Sequence, residues 1–434
     1  MTTGIIGGGL TGLSLASLLQ NDLEVLEKNS EAGGLCRSLQ EDGFTFDYGG
    51  SHIVFSKDEE VLRFLLDLLG DNIFKVRRNT KIFLKGRYIK YPFENGLSDL
   101  SKEDNYECLY QYINSQLNKN HLMPANFKDW IYANFGKGIA EMYMLPYNQK
   151  IWNIKPEYMG VNWIENRIQK PPLEDVIKSS LGIQTEGYKH QLYFYYPQRG
   201  GIQALVQGLG KKIKGTLTCG FNVKSIIKED GQWVVRNEKE ERVFDRIIST
   251  IHLQDLAEAM VDIPEEIRSA IRGLKYNSLI SVMLGLDVPK LNDFSWIYMP
   301  ETNIKANRIS FPTNFSRYVA PPGKSSLLAE ITCNEGDDLW SKRDEEIIEE
   351  TMDDLHKLGI IKREKVIYSR LQRTKYAYVV YDLRYEQEIS LIRPYFHKIG
   401  VHLCGRFSQF EYLNMDACVR SAMNKAKEMA GNGI

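Results

Sequence analysis

The chain has 434 residues, 43% hydrophobic and 26% charged, enough for two or three domains of an ordinary water-soluble globular protein. Its 55 lysines and arginines against 56 aspartates and glutamates leave a formal net charge of −1. That excludes a global field recruiting nucleic acid or anionic lipid, so any anion site must be local. No apolar run approaches the roughly 18 residues of a membrane span, no basic cleavable leader is visible, and the six scattered cysteines lack a C-x-x-C spacing. These features predict a cytoplasmic enzyme with no integral membrane segment, no nucleic-acid partner and no metal.

Gly4-Ile5-Ile6 reads as a short apolar strand that runs directly into Gly7-Gly8-Gly9-Leu10-Thr11-Gly12. A helical stripe follows at Leu15, Leu18 and Leu19, then a second strand from Leu23 to Leu26 ending in Glu27, twenty residues after Gly7. Each part has a physical role. Gly7 makes the tight turn, Gly9 lets backbone approach a pyrophosphate, and Gly12 permits close helix–strand packing. The helix N-terminus at Leu10 and Thr11 offers free N–H groups to the phosphates, and Glu27 would accept from ribose hydroxyls. A lone G-x-G-x-x-G is weak, but strand, helix, second strand and acid all fall at the required spacing.

Gly33-Gly34-Leu35-Cys36-Arg37-Ser38 comes next. A glycine pair there resembles the extended fingerprint of the glutathione-reductase-like and amine-oxidase-like flavoproteins, and implies FAD rather than NAD, with Gly34 and Leu35 in contact. The run from Gly43 to His52 looks like the strand and glycine turn that bring backbone, at Gly50 and Ser51, up to the isoalloxazine in those families.

Beyond this point, residues 57–72 and 100–150 carry helical periodicity, and Pro171-Pro172 marks a break. Phe221 to Val235 predicts a hairpin turning at Asp230-Gly231, and Phe244 to Thr250 a buried strand returning to the nucleotide fold. Ser278 to Leu286 and Leu327 to Thr332 read as β-rich, Glu345 to Leu358 as an acidic amphipathic helix, Gly400 to Leu403 as a strand and Asp416 to Met429 as a closing helix. The expected fold is α/β: a discontinuous FAD-binding Rossmann-like domain (1–98, 195–265 and 395–434) with a helical insertion (99–194) and an antiparallel β-sheet insertion (266–394).

Several patches mix aromatic and polar residues in a way unusual for a core. They include Tyr91-Pro92-Phe93-Glu94-Asn95, Leu145 to Trp152, Trp163 to Arg167, Tyr195 to Gly201, Trp296 to Arg308 and Gly405 to Tyr412. Singly, each has a bland reading as half-buried tyrosine or surface arginine. Together with Pro124 to Trp130 and Ala133 to Gly138, they resemble the UDP-galactopyranose mutases, most closely the eukaryotic-type branch, over nearly the whole chain.

That resemblance implies roles. Arg167 and Arg308 would clamp a substrate diphosphate, a task suited to the guanidinium fork. Tyr298, Tyr378 and Tyr412 would surround it with hydroxyl donors, and Tyr91 and Phe93 would hold the uridine by stacking. Asn148 and Trp152 would line the sugar–nucleotide path, with Gln191 where that branch has asparagine. Arg406 would sit at the flavin–substrate junction, and His52 would take part in loop movement on flavin reduction. Val223, Asn414 and Met415 would complete the FAD contacts, the last helix pointing its N-terminus at the flavin. The implied reaction interconverts pyranose and furanose forms of a UDP-sugar, with N5 of reduced FAD as covalent nucleophile on the anomeric carbon and UDP as leaving group. NAD(P)H is a candidate external reductant.

Three departures leave the base and sugar open: one residue more in Gly49-Gly50-Ser51-His52, Glu94 in place of glutamine, and Asp416 in place of asparagine. The competing readings are an FAD-dependent oxidoreductase of the amine-oxidase or protoporphyrinogen-oxidase type, which would want an apolar channel, and a catalytically idle flavin-fold binding protein. The sequence does not set the oligomeric state.

Overall fold

The structure is a computed structural model that describes residues 1–20, 22–118, 123–164, 167–185 and 192–431. Gln191 lies outside the described residues. Two sheets organise the chain. The first is five-stranded and parallel, in the order Val401–Leu403, Arg246–Ser249, Thr3–Ile6, Leu23–Glu27, Thr216–Cys219. Parallel strands are covered on both faces and so read as continuous apolar runs. Every residue of the central strand Thr3–Ile6 is buried. The helix Leu10–Leu18 packs between this sheet and the helix Met415–Gly431, which explains why it is apolar nearly all round rather than striped.

The second sheet has seven strands in the order Val366–Val380, Lys275–Leu286, Ser325–Cys333, Arg308–Ser310, Trp296–Tyr298, Thr80–Leu84, Arg87–Lys90. Pairing is antiparallel except between Trp296–Tyr298 and Thr80–Leu84. The last two strands fall in the first stretch expected for the nucleotide-binding domain, yet they hydrogen-bond into this sheet. The predicted hairpin forms from Ser225–Glu229 and Gln232–Arg236, with Asp230 and Gly231 both at positive φ, as a two-residue turn requires.

The helical part holds Lys102–Leu117, Phe127–Ile139, Leu145–Trp152 and Leu173–Ser180 around a core that includes Phe93, Tyr112, Phe127 and Phe135. Ser101 and Asn126 cap the first two helices by accepting from the N–H groups of Asp104 and Asp129. Gly136 breaks the second at φ 70°, where a Cβ would stand 2.3 Å from the Gln111 carbonyl oxygen. A π-turn over Ala140–Met144 follows and leads straight into Leu145–Trp152. Such irregularity often marks a functional site, and here it directs Tyr143, Tyr147, Asn148 and Trp152 at one cavity. The fold class is as expected. No helix among the described residues is long and apolar enough to cross a membrane.

Candidate active site

A cavity of about 1420 Å³ runs from the C-terminal edge of the parallel sheet to the face of the seven-stranded sheet. At its nucleotide end, Gly7 has φ 107° and a Cβ there would strike Thr250 Oγ1 at 2.6 Å; at Gly12 it would lie 2.0 Å from the Gly7 carbonyl oxygen. A Cβ on Gly9 would meet only the Gly34 Cα, at 3.9 Å, so no side chain fills the space above this turn. Glu27 is buried and its carboxylate accepts from the backbone N–H groups of Gly8 (2.8 Å) and Asn29 (2.9 Å) and from Asn29 Nδ2 (2.6 Å). Gly7, Gly9, Leu10, Thr11, Glu27, Gly34, Leu35, Ser51, Val223, Arg406, Asn414 and Met415 all line the cavity; Gly12 and Gly50 stand behind its wall. Ser51 Oγ and Arg406 Nε are buried there without a hydrogen-bond partner among the described residues. Open backbone at a helix start, a correctly placed acid and orphaned polar atoms fit an FAD dinucleotide.

The loop before the substrate end is held from below. Gly50 sits at φ 95°, and a Cβ on it would lie 3.0 Å from Glu330 Oε2. Ser51 donates its N–H to Glu330 Oε1 (3.1 Å). His52 Nδ1 is 2.7 Å from the Gly50 carbonyl oxygen, which can only accept, so Nδ1 carries the proton. Burial pushes the His52 pKa down to about 4, leaving a neutral imidazole. Behind it, Asp47 accepts from Ser38 Oγ (2.7 Å), Tyr196 OH (2.8 Å) and Ile202 N–H (2.9 Å), and burial raises its pKa to about 6.

Strand register builds the far wall. Tyr298 stands opposite Arg308, Arg308 opposite Glu330, Glu330 opposite Ser281, and Ser281 opposite Gln372. Directly opposed residues share a face, so a polar row crosses five strands beneath the cavity. Arg308 gives Nε and Nη2 to the fully buried Glu330, at 2.9 and 2.6 Å. Its charge is therefore already compensated, and only its other N–H groups remain for a ligand. Arg167 and Arg406 differ. The Arg167 Cζ lies 3.9 Å from the centroid of the Tyr412 ring, and the Arg406 Cζ 4.8 Å from the same ring and 5.2 Å from that of Tyr378. Neither has a carboxylate partner among the described residues; Arg406 donates to the carbonyls of Leu413 (3.3 Å) and Ala377 (2.7 Å). Burial lowers the Arg167 pKa, against the pull of Tyr412 and Tyr381. Burial raises those of Tyr91 and Tyr378, so both hydroxyls stay protonated.

Trp152 Nε1 donates to Asn148 Oδ1 (3.1 Å) while Asn148 Nδ2 donates to the Met144 carbonyl (2.8 Å). This i, i+4 lock sets the Trp152 ring edge-on to Tyr412 at 5.1 Å. Tyr91 packs on Tyr298 at 5.1 Å and lines the cavity. Phe93 does not line it: its ring is wholly buried and stacked on Tyr143 at 5.0 Å, and it is Tyr143 that lines the cavity. Glu94 is likewise buried off the cavity.

Sequence reasoning missed Glu330, Tyr143, Tyr147 and Arg78, whose Cζ is sandwiched between Tyr91 (4.7 Å) and Trp296 (4.8 Å). Glu330 had a visible signal, a lone carboxylate in the apolar and small run Ser325–Cys333.

A family profile for flavin containing amine oxidoreductases matches residues 10–430. A crystal structure of reduced UDP-galactopyranose mutase matches with a TM-score of 0.90 at 24% identity, covering 100% of this chain and 94% of that one, a likeness of fold. Mitochondrial protoporphyrinogen oxidase from Nicotiana tabacum is 22% identical over 299 residues, 58% of each chain. An inactive all-trans-retinol 13,14-reductase from Danio rerio is 37% identical over 70 residues, 15% of this chain and 12% of that one. The matches thus span less than two thirds of either curated relative's length.

Proposed function

The chain belongs to the flavin containing amine oxidoreductase family, and we propose that within it this protein is a nucleotide-sugar mutase, interconverting pyranose and furanose forms of a UDP-sugar. The observation that carries this reading is the pair of guanidinium groups, Arg167 and Arg406, seated on Tyr412 without a carboxylate partner among the described residues. Burying uncompensated cations is costly. An apolar-substrate oxidase has no use for them, whereas a diphosphate would complete them with charge-assisted hydrogen bonds.

Gly7, Gly9, Leu10, Thr11, Glu27, Gly34 and Val223 would hold the adenosine diphosphate part of FAD, with Gly12 and Gly50 shaping the turns. Leu35, Ser51, Arg406, Asn414 and Met415 would hold its flavin end. When bound and reduced, such a cofactor supplies a nucleophilic nitrogen for the anomeric carbon.

The chain's own residues supply position and charge. Arg167, Arg406 and the remaining N–H groups of Arg308, with the hydroxyls of Tyr298, Tyr378 and Tyr412, would stabilise the diphosphate as it departs and gathers charge. Neutral His52 would fix the carbonyl of Gly50, and the Asn148–Trp152 lock would keep the aromatic wall closed against water. Tyr91 and Tyr143 would offer ring faces to the nucleoside. An external NAD(P)H-type reductant and a cytoplasmic setting belong to the same reading.

Titration of the holoenzyme with UDP tests it. Saturable binding that weakens in Arg167→Ala supports the assignment. No binding of UDP, with oxygen-dependent oxidation of an apolar amine or porphyrinogen instead, sinks it in favour of the oxidoreductase type.

A further inference from the structure

The Arg167 backbone N–H donates to the Ile164 carbonyl (2.8 Å), but its guanidinium has no hydrogen bond among the described residues and lies 3.9 Å from the centroid of the Tyr412 ring. A stacked cation of this kind is only as well placed as its platform and the segment that carries it. Both converge on one residue outside the cavity lining, Tyr381.

The Tyr381 hydroxyl accepts the backbone N–H of Tyr412 at 2.8 Å. Its ring lies stacked at 6.3 Å, interplanar angle 25°, on Trp163, four residues before Arg167, and at 4.2 Å from Tyr385. Its carbonyl accepts from the N–H of Gly160 (2.9 Å), and the bridge between Met159 and Asp382 continues that join. Trp163 is fixed in turn by donating Nε1 to the Gly160 carbonyl (2.9 Å). Tyr385 donates to the Phe410 carbonyl (2.6 Å), pinning the same loop two residues before Tyr412. Tyr381 thus touches the segment leading to Arg167 through its ring and backbone, and the platform for Arg167 through its hydroxyl.

We propose that Tyr381 is a positioning residue that sets Arg167 over Tyr412, so that the helical region and the C-terminal loop present one cation at a fixed place in the cavity. The functional meaning rests on Arg167 being a ligand for a substrate diphosphate; the placement itself does not.

Labelling of the FAD-loaded full chain with phenylglyoxal, read by mass spectrometry at single arginines, tests the placement directly. In Tyr381→Phe the ring remains but the Tyr412 N–H loses its acceptor. Loss of one neutral hydrogen bond should raise the Arg167 labelling rate roughly fivefold, with Arg308, locked on Glu330, unchanged. Tyr276→Phe, which loses a hydroxyl bonded to Glu335 elsewhere, should leave Arg167 at its wild-type rate. An unchanged Arg167 rate in Tyr381→Phe, or an equal rise in Tyr276→Phe, overturns the proposal.

UDP titration separates this from the functional reading. Tyr381→Phe should weaken UDP roughly fivefold in the wild-type background and by clearly less in Arg167→Ala, where only Tyr412 and Arg406 on the loosened loop are left to disturb. A full effect in the Arg167→Ala background overturns action through Arg167. If UDP binds to no variant while Arg167 labelling still accelerates, the mutase reading fails and the positioning role stands.

Discussion

Arg308 holds Glu330 with two N–H groups, at 2.9 and 2.6 Å, and Glu330 is wholly shielded from solvent. The same carboxylate accepts from the Ser51 N–H, so one buried anion joins the substrate wall to the loop at the flavin end of the cavity. Arg308 is therefore held as a structural cation with its charge compensated, which separates it from Arg167.

Removing Arg308 leaves Glu330 buried and unpaired. Arg308→Ala should lose about 3–5 kcal/mol of stability, read by urea unfolding, along with activity. Arg308→Met combined with Glu330→Gln should recover most of the stability and none of the activity. Full stability in Arg308→Ala would show that the pair is not what holds this wall.

Arg167→Ala orphans no carboxylate among the described residues. Its unfolding midpoint and FAD content should stay near those of the parent, while kcat/KM falls by roughly 30- to 1000-fold, about 2–4 kcal/mol of lost charge-assisted bonding. Arg167→Lys should restore only part, because a point charge cannot reproduce the fork. A surface arginine would change turnover by less than about 0.5 kcal/mol, and that outcome would remove Arg167 from the site.

Asp47, at the end of the strand Phe44–Asp47, and His52, on the loop that follows it, give opposite pH dependences. His52 has its pKa depressed to about 4, so its contribution to stability is fully present above its unfolded value of 6.5 and is lost as pH falls through about 4. Asp47 has its pKa raised to about 6, so its contribution is fully present below 3.8 and is lost as pH rises through about 6. Between pH 4 and 6.5 the two oppose each other. In His52→Gln, stability should fall less on acidification across this window than in the parent, since burial also depresses His252 and His402. In Asp47→Asn it should fall more steeply than in the parent. Parallel curves for all three proteins would contradict both assignments.

Phe93 and Tyr143 should also part company. Phe93 is core, so Phe93→Ala should cost about 3–5 kcal/mol of stability. Tyr143→Leu, at a ring that lines the cavity, should raise KM for the nucleotide sugar with a smaller loss of stability. A raised KM in Phe93→Leu at full stability would restore Phe93 to the nucleotide contact.

The dinucleotide end was legible because steric need dictates glycine at Gly7 and Gly12, and the apolar strands were legible because parallel strands are buried on both faces. The strand Val366–Val380 was not. It lies at the sheet edge, and Arg370, Arg373 and Lys375 interrupt its apolar pattern. The helix Tyr385–Ile399 was hidden by Pro394, which normally ends a helix but here sits inside one. The site arginines could be proposed from spacing and resemblance. Their charge compensation could not, since Arg308 and Glu330, 22 positions apart, meet through strand register that sequence alone does not align.

Product analysis under anaerobic conditions tests the central claim most directly. The dithionite-reduced holoenzyme is incubated with UDP-galactopyranose, and the sugar is followed by NMR while reductant is counted. The mutase reading predicts a furanose product that forms only with reduced enzyme and with no stoichiometric consumption of reductant. Full turnover by oxidised enzyme, one reductant oxidised per product, or no furanose from any of a panel of UDP-sugars would contradict it.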